Sequence, residues 1–149
     1  MKNKLFLSLI LLCMIFSMAG SFGAKAAGPL DEIQKITIDA STSVDGIVTL
    51  EYTVYWKVLD STSAGPLSWV QIGVPNSSYE IVDCYGDAES VVPYNSGRES
   101  RVRVNLHRDF EAGEVASFSF SIRQYNLLEQ EAGGYRCDYV PGWFDEIEV

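Results

Sequence analysis

The side chains able to do acid–base, nucleophilic or metal chemistry are few in this sequence, and their spacing does not organise them for it. His107 is the one histidine among 149 residues. His107-Arg108-Asp109 repeats the opening of a kinase catalytic loop, but that loop needs an asparagine five positions past the aspartate, where Glu114 stands. We read the tripeptide as a charged turn. Serines are plentiful, yet none lies in a G-x-S-x-G elbow, and only His107 could serve one as an imidazole base. The 20 acidic residues could furnish a carboxylate pair for glycoside hydrolysis, but nothing in their spacing sets two face to face. Asp83, Asp87 and Glu89, and again Asp145, Glu146 and Glu148, offer hard oxygen ligands suited to Ca²⁺. Neither group has the D-x-D-x-D-G order of a calcium loop, and solvated strand faces account for both. The sequence therefore points to a protein that is not an enzyme and implies no cofactor, Ca²⁺ being the one ion it leaves room for.

Two other groups of residues suit recognition rather than reaction. Arg98, Arg101, Arg103 and Arg108 fall within eleven residues, and Arg101 and Arg103 share a strand face by the period-two rule. Such a patch suits a sulfated or phosphorylated polymer, but a solvated face offsetting acids across a sheet explains it more simply. Trp143-Phe144 follow Pro141-Gly142 and precede Asp145. A tryptophan on a rigid turn offers a flat apolar plate with an indole donor, on which a sugar ring can stack. Trp143, with Tyr135 and Tyr139 nearby, is accordingly the candidate ligand site; the competing reading is a hydrophobic plug at one end of the fold. Trp56 and Trp69 each share a face with aliphatic residues, and both are expected in the core. Asn76-Ser77-Ser78 satisfies the glycosylation sequon.

The elements that must position these residues follow an export signal. Lys2 and Lys4 precede an apolar run from Leu5 to Gly20, and Ala24-Lys25-Ala26 supplies small residues for cleavage before Ala27. That run is shorter than the roughly 20 residues of a spanning helix. We expect residues 1–26 to be a signal peptide, no membrane span after its removal, and a secreted or cell-surface protein. Cys13 leaves with the signal, so Cys84 and Cys137 remain as an even pair in an oxidising compartment, and a disulfide between them is expected. The formal net charge is −9. A surface of that sign repels phosphate backbones, which argues against nucleic-acid partners.

From Ala27 onward the dominant period is two. Val48, Leu50, Tyr52, Val54, Trp56 and Val58 line one face of a long strand, with Thr49, Glu51, Thr53, Tyr55 and Lys57 on the other. Shorter strands are expected around Ile36–Ala40, Leu67–Val74, Tyr79–Tyr85, Ser90–Tyr94, Arg101–Leu106, Ala116–Ile122 and Tyr135–Tyr139. His107–Glu114 is expected as a turn region, and Leu127–Glu131 as one helical turn ended by Gly133-Gly134. Seven or eight strands at short spacing predict an all-β chain, an antiparallel β-sandwich of immunoglobulin-like architecture over residues 27–149. Glu146-Ile147-Glu148-Val149 begins another alternation as the chain stops, which predicts a last strand cut short.

The runs Tyr55-Trp56-Lys57-Val58-Leu59-Asp60-Ser61, Gly65-Pro66-Leu67-Ser68-Trp69-Val70, Ile72-Gly73-Val74-Pro75-Asn76 and Pro141-Gly142-Trp143-Phe144-Asp145 resemble a group of uncharacterised exported proteins of Gram-positive bacteria. The resemblance implies export, an N-terminal all-β domain and further sequence after the Trp-Phe-Asp segment; it carries no activity and no site residue. The expected function is that of a non-catalytic extracellular interaction or structural module. The alternative is a carbohydrate-binding module using the aromatics near Trp143. Its partner is expected to be a protein or a cell-surface polysaccharide.

Overall fold

The alternation centred on Tyr52 forms one of the two inner strands of a four-stranded sheet. The computed structural model describes residues 28–97, 99–137 and 139. In chain order the strands are β1 (Asp31–Thr42), β2 (Val48–Val58), β3 (Leu67–Gly73), β4 (Tyr79–Gly86), β5 (Ala88–Pro93), β6 (Arg101–Phe110), β7 (Val115–Gln124), β8 (Leu128–Glu131) and β9 (Gly134–Cys137). Their order is β1-β2-β7-β4 in one sheet and β3-β6-β5 in a second, with β8-β9 as a separate hairpin. Every pairing is antiparallel. Among the described residues no helix is long and apolar enough to cross a membrane.

The two large sheets form a β-sandwich, as the alternation predicts. Leu50, Tyr52, Val54, Phe118, Phe120 and Ile122 from the four-stranded sheet and Val70, Ile72, Val102, Val104 and Leu106 from the three-stranded one are all buried. Each such side chain contributes about 1.5–3 kcal/mol of transfer free energy, so this double layer is the main source of stability. Tyr52 stacks on Phe120 at 4.6 Å between centroids and 5° between planes. An immunoglobulin constant domain pairs its strands 1-2-5-4 and 3-6-7. Here the fifth and seventh strands have exchanged sheets, so the layered architecture is shared but the connectivity is not.

Two polar devices join the layers. β4 crosses to β5 at Gly86-Asp87: Gly86 has φ +72°, and a Cβ there would stand 2.5 Å from the Ser117 carbonyl oxygen, which leaves only glycine. The Asp87 amide donates to Ser117 O at 2.9 Å, Asp87 Oδ2 accepts the Ser117 amide at 2.7 Å, and Asp87 O accepts the His107 amide at 3.0 Å. The turn is thus tied to β7 in one sheet and β6 in the other. At the opposite end, Asn76 Oδ1 accepts from the Ser78 amide at 2.7 Å and from Gln124 Nε2 at 2.6 Å, while its Nδ2 donates to Tyr125 O at 3.1 Å. Gln124 is the one fully buried polar residue among those described, and this knot satisfies its amide nitrogen.

Several expectations are corrected. The described residues hold nine strands, where about seven or eight were expected. Leu127–Glu131 contains no helical turn; Leu128–Glu131 is β8, because Gly133 at φ +105° closes a tight hairpin onto β9. His107-Arg108-Asp109 is not a turn but the outer end of β6. Its three exposed residues lie where the β3–β6 register jumps between Leu67↔Phe110 and Trp69↔Asn105. Cys84 and Cys137 are free thiols rather than a disulfide. Cys84 on β4 is half-buried with Sγ 4.0 Å from the Ala88 carbonyl, whereas Cys137 is exposed at the end of β9 in a different ladder. The expected signal peptide, Trp143, the second acidic group and the final short strand lie outside the described residues.

Candidate functional site

With Val70, Ile72, Val102 and Val104 turned to the core, the alternate residues of β3, β6 and β5 must cover the outer face of the three-stranded sheet. The registers arrange them in rows across the strands. Trp69 lies opposite Asn105, which lies opposite Ser90; Gln71 lies opposite Arg103, which lies opposite Val92. The next row holds Arg101, whose carbonyl accepts the Tyr94 amide at 2.9 Å. The backbone of β6 is hydrogen-bonded to a neighbour on each side, so a ligand on this face meets side chains alone.

Those side chains are held in one another's grip. Arg103 Nε donates to Asn105 Oδ1 at 2.8 Å, and Asn105 Nδ2 donates to Ser90 Oγ at 2.9 Å. The Arg103 guanidinium carbon sits 4.4 Å over the Trp69 ring. Such a cation–π contact contributes about 0.5–1 kcal/mol at an exposed site and fixes the plane of both groups. Trp69 and Tyr94 have ring centroids 6.4 Å apart and tilted by 44°. Arg101 Nη1 donates to Gln71 Oε1 at 2.8 Å, and its other nitrogen pairs with Glu99. Trp69, Val92 and Tyr94 are all exposed, at 37%, 39% and 41%. Large apolar side chains exposed together are the informative departure from a water-facing sheet.

The charge on this face is selective. Lys57, Arg101, Arg108, Arg123 and Arg136 are paired with Glu32, Glu99, Glu114, Glu80 and Glu131. Arg103 is the one arginine among the described residues with no carboxylate partner, and its two Nη groups make no hydrogen bond to a described residue. Beyond Trp69 the plate ends in a shallow cleft of about 160 Å³ bounded by Leu30, Val58, Asp60, Pro66, Leu67 and Trp69. Asp60 there is held ionised, its carboxyl lowered to about 2 by hydrogen bonds from the Ser63 hydroxyl and then from the Thr62 hydroxyl and amide.

Of the residues expected to form the ligand site, Trp143 lies outside the described residues, and Tyr135 and Tyr139 stand in different settings. Tyr135 is exposed at 68% on β9. Tyr139 is half-buried, its hydroxyl 3.0 Å from that of Tyr52, which makes it a tether to the core rather than a plate. Burial, and then the Tyr139 hydrogen bond, push the Tyr52 phenol far above its ordinary range. The acidic trio also disperses. Asp83 accepts from the Tyr85 hydroxyl and the Cys84 amide, Asp87 caps Ser117, and Glu89 stays exposed. No three potential metal-ligating side chains converge among the described residues. Asn76 commits its amide nitrogen to Tyr125 and Asn126, so the sequon is occupied by the fold itself.

Trp69 was expected in the core and is on the plate. Leu67 does pack inward, but the register shift after it sends Trp69 outward. The signal was in the sequence: Trp69 and Gln71 fall out of phase with Val70, Ile72 and Val74, the longer apolar series. Arg101 and Arg103 do share a face, as the period-two rule requires. These elements define a two-sheet sandwich carrying an aromatic and cationic plate on its smaller sheet. No protein-family model matches the sequence, and no curated protein is significantly similar to it.

Proposed function

We propose that the protein is a non-catalytic extracellular interaction module that engages its partner through the outer face of the β3-β6-β5 sheet. The observation that carries this reading is the Trp69–Arg103 stack with Tyr94 beside it: two large rings and an unpaired guanidinium are held outward on a rigid strand scaffold. Aromatic and arginine side chains are the anchors that dominate binding surfaces, and pre-fixing them lowers the entropy lost on docking. The export expected from the sequence would put that partner outside the cell, as a neighbouring protein or a surface polysaccharide. The polysaccharide reading stands here on Trp69 and Tyr94 instead of Trp143, because tilted rings flanked by amide and hydroxyl groups match the apolar and polar edges of a sugar.

Sedimentation with isolated bacterial cell walls tests the plate. The purified protein is expected to co-sediment, and the Trp69→Ala/Tyr94→Ala variant, checked for an unchanged circular dichroism spectrum, to stay in the supernatant. A double variant that sediments like the parent rejects this face as the docking surface.

A further inference from the structure

We infer that the ligand of the plate is a carboxylate-bearing polysaccharide, its acid group received by the Nη fork of Arg103; this rests on the docking face proposed above. The charge pattern selects an acid. Among the described residues Arg103 is the one arginine left without a carboxylate, while Arg101, Arg108, Arg123 and Arg136 each pair with a glutamate. Arg103 is held by Asn105 at Nε and by Trp69 at its face, so both Nη groups are presented with little freedom left to lose. A planar fork takes a planar carboxylate through two parallel hydrogen bonds.

The surroundings select a sugar as the carrier of that acid. An extended peptide that docks through main-chain pairing needs a strand edge. On this face the backbone of β6 is used on both sides, which leaves rings, amides and hydroxyls as the contacts. Trp69 and Tyr94 offer apolar faces for ring C–H groups, while Gln71, Asn105 and Ser90 bring hydrogen-bonding side chains within the same rows. One free fork matches one carboxylate on an otherwise hydroxylated chain.

Calorimetric titration of the purified protein tests this with four probes: polygalacturonate, its methyl ester, polyphosphate and poly-glutamate. Polygalacturonate is expected to bind. Methyl esterification, which keeps the ring and removes the charge, should weaken binding about tenfold or more, and Arg103→Gln should do the same to the acid form. Arg103→Lys keeps the charge and loses the fork, so an intermediate loss is expected. Melting curves of both variants establish that they fold, and the two substitutions together prevent one unstable protein from deciding the outcome. Polygalacturonate that fails to bind, or binds Arg103→Gln within about twofold of the parent, overturns the inference. Equal binding of the ester points to a neutral sugar, and tighter binding of poly-glutamate or polyphosphate to an acidic peptide or a phosphate polymer; each also overturns it. Where Trp69→Ala abolishes the binding of one of those other probes, the docking face survives and only the ligand class falls. Where Trp69→Ala and Arg103→Gln both bind polygalacturonate as the parent does, the face falls with it.

Discussion

The sandwich has two outer faces built by the same alternation, and they carry different chemistry. On the four-stranded sheet the outward rows join Thr37 to Thr53 to Ser119, and Asp39 to Glu51 to Ser121. These are short hydroxyl and acidic side chains, with Thr53 and Ser119 hydrogen-bonded to each other at 3.1 Å; the exposed rings of this face are Tyr55, opposite Ser117, and Tyr85, opposite Ser119 and bonded to Asp83. Its arginine, Arg123, is already neutralised by Glu80. On the three-stranded sheet the outward rows hold Trp69, Tyr94, Arg103, Asn105 and Gln71. A water-facing strand needs nothing larger than threonine to remain soluble and well paired. What sets the smaller sheet apart is that its exposed rings meet each other and a guanidinium with no carboxylate partner among the described residues, an arrangement that pairing and solubility do not require.

That contrast can be broken at several levels. Phe120→Ala removes a fully buried ring beneath both faces and should cost about 3–5 kcal/mol, seen as an early denaturation midpoint that affects the two faces alike. Asn76→Ala unpairs the Ser78 amide and takes one of three acceptors from the buried Gln124 amide; a loss of about 1–2 kcal/mol in the same assay is expected. Trp69→Ala should separate stability from recognition. Its ring is partly exposed, so the midpoint should move by no more than about 1–2 kcal/mol while cell-wall binding disappears. Thr53→Ala on the opposite face should leave binding unchanged and stability within about 0.5–1 kcal/mol.

The tether to Tyr139 supplies a pH test of the shared core. Burial raises the Tyr52 phenol above its unfolded value of about 10, so its contribution is complete below that pH and is lost as pH rises beyond it. Alkaline unfolding should thus begin above pH ~10, and Tyr52→Phe should shift its onset upward while costing about 1 kcal/mol at neutral pH. The smallest effect is chemical. Cys137 is exposed, whereas burial and then the Asp83 charge raise the Cys84 thiol. Peptide mapping after brief alkylation at neutral pH should therefore find Cys137 modified first.

The framework was legible in the sequence where one face is apolar throughout. β2 ran from Val48 to Val58 as its alternation required, and β3, β4 and β6 began where expected. Legibility failed where alternation is interrupted. The register jump beside Leu67 put Trp69 on the wrong side of the expected core, and the same jump hid the length of β6. The apolar start of Leu127–Glu131 is too short for periodicity to separate a helical turn from a strand, and the hairpin glycine decided it. The candidate site was half legible. The shared face of Arg101 and Arg103 followed from spacing, but their meeting with Trp69 and Tyr94 depends on strand order, which no local pattern encodes.

The most direct test of the plate is an NMR titration with soluble oligogalacturonate, following the side-chain resonances of Arg103 Nε–H, Trp69 indole N–H and Asn105 Nδ2 beside the backbone amides of Thr37, Thr53 and Ser119. The account predicts saturable shifts confined to the first group, with the four-stranded face silent. Shifts centred on Thr37, Thr53 and Ser119, or spectra unchanged at saturating ligand, would contradict it.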